Sequence, residues 1–430
     1  MNHWLPTCLL SLLFTLPALP NEMAGQGYTI EHIEVRGNGK TKSEIILKAL
    51  TFAEGDRLDA EEVNASKDAL YATRLFRTVH LASKPGSADK HAVVVVYVDE
   101  KRFGDLGISL EYTELDGFGL SADAFHVNFL GEGKVVGFEW GLGERYKKWG
   151  FSYADPYFTS ANLLLSIRTV GSSADRDLFR SQIEQARGRY DLERIGGVIG
   201  LGRVLGEGHR LLFTYSMDRV QVGAFNAPTV VTNQGLYADE IQAAIGRETQ
   251  AYFGVDFQTR PSAEPWGSAP GSDLHISLDL SAKVHGSAET FLRARVEAAH
   301  HLSSFGRQIL TIGGRAGYIL GTPPFYERFY IEGRNQLRGH EPRRVGPEGG
   351  EEFASVEAVY SFPFLPYARF YGFIEGAVLR RDLSVGDGSD RDGSIGAGVV
   401  LFKRIDISFG FSTGTLIVKS HRFGGINVGL

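Results

Sequence analysis

The chain has 430 residues and carries 45 Lys and Arg against 51 Asp and Glu, a net charge of -6, which argues against a general nucleic-acid binder because such proteins carry a basic excess. Its one cysteine, Cys8, lies in the leading segment, so the body of the chain has no disulfide or thiol chemistry to draw on. Glycine is the informative count: 53, beside 28 Phe and 17 Tyr but only 3 Met and 4 Trp, the mixture expected of many β-strands with one apolar face.

Residues 1–25 have the outline of a secretory signal, with an apolar run at 9–19 too short to span a bilayer, although no Lys or Arg precedes it and no clean cleavage site follows. No later stretch reaches the roughly 18 consecutive apolar residues of a membrane helix, so a membrane location would demand a closed barrel. Residues 27–102 form the one region with helical periodicity. Tyr28, Ile30, Ile33 and Val35 predict a strand, closed by a turn at Arg36-Gly37-Asn38-Gly39. Thr41 and Glu44 have capping-box spacing ahead of Ile45, Ile46, Ala49 and Leu50, which predicts a helix. Asp59 and Glu62 repeat the device ahead of a second helix that ends near Leu75 and Phe76. Strands follow at 79–82 and 93–98, the second strongly apolar and so central in its sheet. The order is β-α-α-β-β, an α+β domain of ordinary small size.

This segment resembles a POTRA domain, the periplasmic module of the BamA and TamA superfamily of outer-membrane assembly proteins. The residues that carry the resemblance are IEVRGN at 33–38, Gly55-Asp56, Leu70-Tyr71, Leu75-Phe76 followed by Val79, and the closing run 93–100. The resemblance implies that the module binds client chains by adding a strand to an exposed sheet edge, which requires only free backbone groups. Val93, Val95 and Tyr97 are the client-binding candidates, and an inert spacer is the alternative.

From Phe103 to Leu430 the texture changes. Leu106, Ile108, Leu110 and Tyr112 alternate with small or polar residues, as do Val136, Phe138, Trp140 and Leu142, the run 274–280, and Ile405, Ile407, Phe409 and Phe411. Period-two alternation places apolar groups on one sheet face and polar groups on the other. A soluble sandwich also alternates, but charges and glycines on the polar face together with long polar connections suit apolar-out, polar-in membrane strands. Roughly 330 residues at about 20 per strand and connection leave room for sixteen antiparallel strands. The fold expected is therefore mainly β: a transmembrane antiparallel β-barrel preceded by one POTRA domain.

The stretch at 326–347, YERFYIEGRNQLRGHEPRRVGP, is too long for a hairpin turn, and loops of this length are commonly functional. Arg338 followed by Gly339 suits a guanidinium held by a buried carboxylate while the backbone turns at positive φ beside it. The family resemblance extends here too, through NFLGEG at 128–133, YADPYF at 153–158 and this loop, which resembles the long extracellular loop of BamA-type barrels. The resemblance implies that the loop folds into the lumen and carries an Arg-Gly-aromatic tip, with His340 standing in the aromatic position. Alternation in the strand around 370–378 puts Arg369, Tyr371, Phe373 and Glu375 on one face, so Glu375 points into the lumen, where the family carries an acid. A bidentate Arg338–Glu375 pair is expected to dock the loop, and exchanging both charges should restore what either reversal breaks.

Closing a barrel joins its last strand to its first. Leu106, Ile108 and Leu110 would meet Gly424, Gly425, Ile426 and Val428, and the glycines would weaken this seam. A weak seam resembles the lateral gate attributed to BamA-type insertases; glycine fitting a crowded wall is the alternative. No catalytic constellation is found, and Gly131-Glu132-Gly133-Lys134 lacks the Ser or Thr of a phosphate loop. The reading is a non-enzymatic outer-membrane assembly factor without cofactor or metal, its POTRA domain in the periplasm. Its partners would be unfolded outer-membrane or surface-protein clients, outer-membrane lipid and periplasmic accessory proteins. A dedicated secretion pore, which would normally show further POTRA domains, and a passive porin are the alternatives.

Overall fold

Alternating apolar residues at 30, 33 and 35 and the valine run at 93–98 commit the first unit to a sheet, and the computed structural model shows how it is assembled. The structure describes residues 27–113, 117–159, 163–178, 188–205, 209–223, 236–259, 271–303, 307–331, 337–340, 345–365, 367–381, 389–401, 405–412 and 426–429. The leading segment read as a signal lies outside them. Two compact units divide the chain: one runs to Arg102 and includes Leu130–Glu132, and the other holds Phe103–Phe129 and everything from Gly133.

The first unit consists of β1 (Thr29–Arg36), α1 (Ser43–Ala49), α2 (Ala60–Ala72), β2 (Phe76–Pro85) and β3 (His91–Glu100). The sheet order is β1-β3-β2, so the most apolar strand is central. Ala92, Val94, Val96 and Val98 are buried along one face of β3, and Ile45, Ile46, Val63 and Leu70 of the two helices are buried with them. Gly37 after β1 has φ +88, and a Cβ there would strike the Val98 carbonyl, so only glycine fits this turn.

Three local expectations fail for identifiable reasons. The Thr41–Glu44 capping box does not form: the N-cap is Lys42, the Thr41 N–H donates to Glu100 Oε1 at 2.6 Å, and Glu44 pairs with Lys48 at 2.8 Å. Asp59 does cap α2, but the helix stops at Ala72 because Arg74 turns to φ 61, and Phe76 opens β2 instead of ending the helix. Val93, Val95 and Tyr97 lie on β3, which is hydrogen-bonded to β1 and β2 on its two sides, so they present no free edge to a client strand. They form the middle row of a face whose flanks carry the Glu34–Lys84 pair at 2.5 Å and Arg36 over the Tyr97 ring at 5.9 Å.

The second unit is a closed barrel of sixteen strands. In chain order they begin with β4 (Gly104–Thr113), β5 (Gly117–Phe129), β6 (Lys134–Gly143), β7 (Tyr146–Asp155), β8 (Leu163–Leu178) and β9 (Gly188–Leu205). Next come β10 (His209–Val222), α3 (Leu236–Ala243), β11 (Gly246–Gln258), β12 (Gly271–Ser281), β13 (Phe291–Ser303) and β14 (Ile309–Gly321). The ring is completed by β15 (Glu352–Leu365), β16 (Ala368–Arg380), β17 (Ser389–Leu401), β18 (Ile405–Ser412) and β19 (Ile426–Gly429). Neighbours are antiparallel throughout, and closure runs through β19 and β4. Alternation decides the faces. On β16 Ile374 is 57% exposed while Glu375, next to it, is 5% exposed, and Phe138, Trp140 and Leu142 of β6 are all exposed. Large apolar side chains left facing water would forgo about 1.5–3 kcal/mol each. A wall that turns this many outward is built for a hydrocarbon surround.

Candidate functional site

Described residues of the connection from β14 to β15 pack against inward-facing residues of the barrel wall. Its base is a reciprocal pair: Phe329 N–H donates to the Gly350 carbonyl and Gly350 N–H to the Phe329 carbonyl, each at 2.9 Å. The Phe329 ring covers Gly317 of β14, where a side chain would collide with it. Beyond the base, Ile331, Leu337 and Val345 are buried in one cluster with Phe353, Ala377 and Leu379 of β15 and β16. The described part of the loop is therefore packed, with Leu337 and Val345 wholly shielded from solvent.

At the tip, the Arg338 guanidinium lies between two acids that face each other across the β15–β16 ladder, Glu357 and Glu375. Nη2 donates to Glu357 Oε2 at 3.0 Å, and Nη1 stands 3.7 Å from Glu375 Oε2. Glu375 also accepts the backbone N–H of Arg338 and the hydroxyl of Ser394. The expected bidentate Arg338–Glu375 pair is thus replaced by a bridge, because the strand register brings a second carboxylate to the same place. The guanidinium carbon stacks 4.5 Å from the Phe373 ring centroid and 5.9 Å from that of Tyr371, so charge and aromatic surface hold it together.

Gly339 is required for space and not for a positive φ. A Cβ there would meet the Phe411 backbone and Ser394 at 2.8 Å, and a Cβ on Gly410 of β18 would meet the Gly339 N–H at 2.7 Å. Two glycines thus let the tip lie directly on the barrel wall. His340 places Nε2 3.3 Å from the Gly393 carbonyl and 3.5 Å from Asp392 on β17, its side chain 10% exposed. The ring is thus held against β17 by polar contacts.

The first part of the loop is anchored on a different wall. Glu327 is buried between Arg194 of β9 and Arg293 of β13, the latter donating at 2.7 Å. Arg194 also meets Asp218 at 3.2 Å, and Arg293 stacks 5.3 Å from the Tyr252 ring centroid. Arg328 makes a forked contact with Glu240 of α3 at 2.8 and 3.0 Å and a further one with Glu351 at 3.1 Å. Since β9 and β17 stand eight strands apart in a ring of sixteen, the loop ties opposite stretches of wall. Glu357, Gly410, Glu327, Arg194 and Arg293 escape sequence reading. Each is an inward charge or glycine on an alternating strand or loop, and its partner is set by register alone.

At the seam, β19 is in register with Gly107–Leu110 of β4, pairing Ile108 with Val428 and Leu110 with Ile426. Its described register with β18 is the single pair Ile405–Ile426. Leu106 pairs with Ala124 of β5, and Gly424 and Gly425 lie outside the described residues.

Comparison with known proteins agrees with this architecture. An Omp85 superfamily domain model matches residues 128–417, and a POTRA model, described as a surface antigen variable number repeat, matches 28–101. The chain is similar to the outer membrane protein assembly factor BamA of Neisseria meningitidis serogroup B, 24% identical over 394 residues, covering 86% of this chain and 48% of that protein. The same factor from Nitratidesulfovibrio vulgaris is 23% identical over 353 residues, covering 78% and 42%. This chain therefore spans less than half the length of those relatives. Among solved structures, BamA from Haemophilus ducreyi lacking POTRA domains 1–3 matches with a TM-score of 0.67 at 17% identity, covering 94% of this chain and 84% of that one. CdiB from Acinetobacter baumannii matches at 0.63 and 14% identity, covering 94% and 74%.

Proposed function

Because the chain belongs to the Omp85 superfamily, we propose that it is an outer-membrane protein assembly factor, guiding client polypeptides into or across the membrane that its barrel occupies. The observation that carries the reading is the seam, where the first and last strands of the ring meet and the described ladder pairs Gly107–Leu110 of β4 with β19, in a wall whose neighbouring strands the docked loop contacts. Parting these two strands would expose backbone edges with which a client strand can pair. The work is non-enzymatic, driven by the free energy that the client releases on folding. Its partners are unfolded outer-membrane or surface proteins, with periplasmic accessory proteins delivering them.

In the POTRA module the edge available for strand addition is β2, bonded to β3 on one side. The opening half of β1 is already covered by the segment at 55–58, where Ile30 N–H donates to the Asp56 carbonyl at 2.8 Å.

Ile108→Cys paired with Val428→Cys tests the proposal, since these residues are Cα partners across the seam. Oxidised protein should lose client assembly in reconstituted vesicles and regain it on reduction. Full activity with the crosslink formed would exclude an opening seam.

A further inference from the structure

The outward face of the barrel carries an opening at the level where the apolar band ends. Lys147, Trp149, Glu193, Ile195, Arg219 and Arg247, together with the bare backbone of Gly171, line a cavity of about 400 Å³. Register shows that these side chains face away from the lumen. Lys147 pairs with outward Leu142, Arg219 with Ile195, which is 52% exposed, and Arg247 with Gln221 beside Glu193. Immediately along the same strands lie exposed Phe151, Ile199, Phe213 and Met217, an apolar belt with no charge in it. The chain enters the barrel from the periplasmic module at β4, so antiparallel alternation places Lys147, Arg219 and Arg247 at the extracellular ends of β7, β10 and β11.

Three outward cations and one acid line the cavity, while Arg194, which also borders it, is engaged by Asp218 and Glu327. Among the described residues none of the three cations has an ion-pair partner, and only Arg247 is held, by Gln221 at 2.9 Å. Trp149 sits at the same level, where an amphipathic ring marks the membrane–water boundary. Charge on a lipid-facing wall is tolerated near the interface and satisfied by opposite charge from the lipid itself. We propose that this cavity is a binding site for the phosphate of an anionic lipid in the outer leaflet, gripped by Arg219, Arg247 and Lys147, with the first acyl carbons on Ile195 and Trp149. The proposal rests on the outer-membrane placement and is independent of client assembly.

The test uses full-length protein folded in neutral detergent, with bound lipid counted by native mass spectrometry. Lipopolysaccharide, phosphatidylglycerol, phosphatidylcholine and inorganic phosphate serve as probes. The two anionic lipids should be retained and phosphatidylcholine released. Arg219→Gln should weaken retention about fivefold, and the variant with Lys147→Gln and Arg247→Gln added roughly a hundredfold. Equal retention by wild type and triple variant overturns the site, and displacement of the lipid by inorganic phosphate at equal concentration reassigns it to a free anion. Folding is checked by heat-dependent migration on gels. Should the triple variant fail to fold, Glu193→Gln, which removes the cavity's one acid, must tighten binding severalfold, and no change overturns the proposal.

Discussion

Two acids placed directly opposite each other on adjacent strands repel, and Arg338 is what makes Glu357 and Glu375 tolerable together. Arg338→Met leaves that repulsion uncompensated in a largely buried place and should cost about 3–5 kcal/mol of barrel stability, read from urea midpoints in detergent. Adding Glu357→Gln should recover part of the loss; no recovery would show that the second acid does not belong to the site. Exchanging the charges of Arg338 and Glu375 alone does not restore the wild type, because the new acid at the tip then faces Glu357. At Gly339 the constraint is volume. Gly339→Ala drives a methyl group into the Phe411 backbone, so the tip should lift off and become accessible to protease while the barrel stays folded.

The loop and the POTRA module each hold their shape in part through charge. Glu327→Gln removes the anion shared by Arg194 and Arg293 and should speed hydrogen exchange in the 325–331 peptide by at least tenfold, leaving the tip protected. Uniform exchange along the whole loop would mean that the two anchors do not act separately. In the module, Lys84 first and Arg36 second hold the Glu34 carboxyl below its ordinary value of 4.5. A carboxylate lowered in the folded state stabilises above the unfolded value, and that contribution fades as pH falls through the folded value. The difference in β2–β3 exchange between wild type and Glu34→Gln should therefore be fully present at pH 7 and fade as pH falls below the ordinary value of 4.5 and through the lowered one. Glu34 pairs at the surface with side chains that are 41% and 54% exposed, so the difference is small and shrinks with salt.

At the scale of the molecule, the barrel is braced from within along the strands from β9 to β18, and its ring closes through β19 and β4. The loop joins β9 and β13 to the stretch from β15 to β18, and among the described residues its ion pairs reach none of β4 to β8. The apolar exterior predicts that the purified barrel needs detergent, and that diluting the detergent precipitates it. Monodisperse protein in plain buffer would contradict a hydrocarbon-facing wall.

Much of this was legible along the chain. Period-two alternation from Leu106 to Phe411 implied strands with an apolar face, the run at 93–98 implied a central strand, and Glu375 was placed inward by parity with Tyr371 and Phe373. Those inferences succeed because side-chain direction in a strand depends on position alone. What the tertiary structure decided was partnership. Glu357 beside Glu375, Glu327 between Arg194 and Arg293, and Gly339 against Gly410 are distant in sequence and meet through strand register and loop path. The helix start at Lys42 and the paired edges of β3 were settled the same way, by neighbours that compete for the same backbone groups. Local chemistry selects which face a residue takes, and only the closed ring determines what it faces.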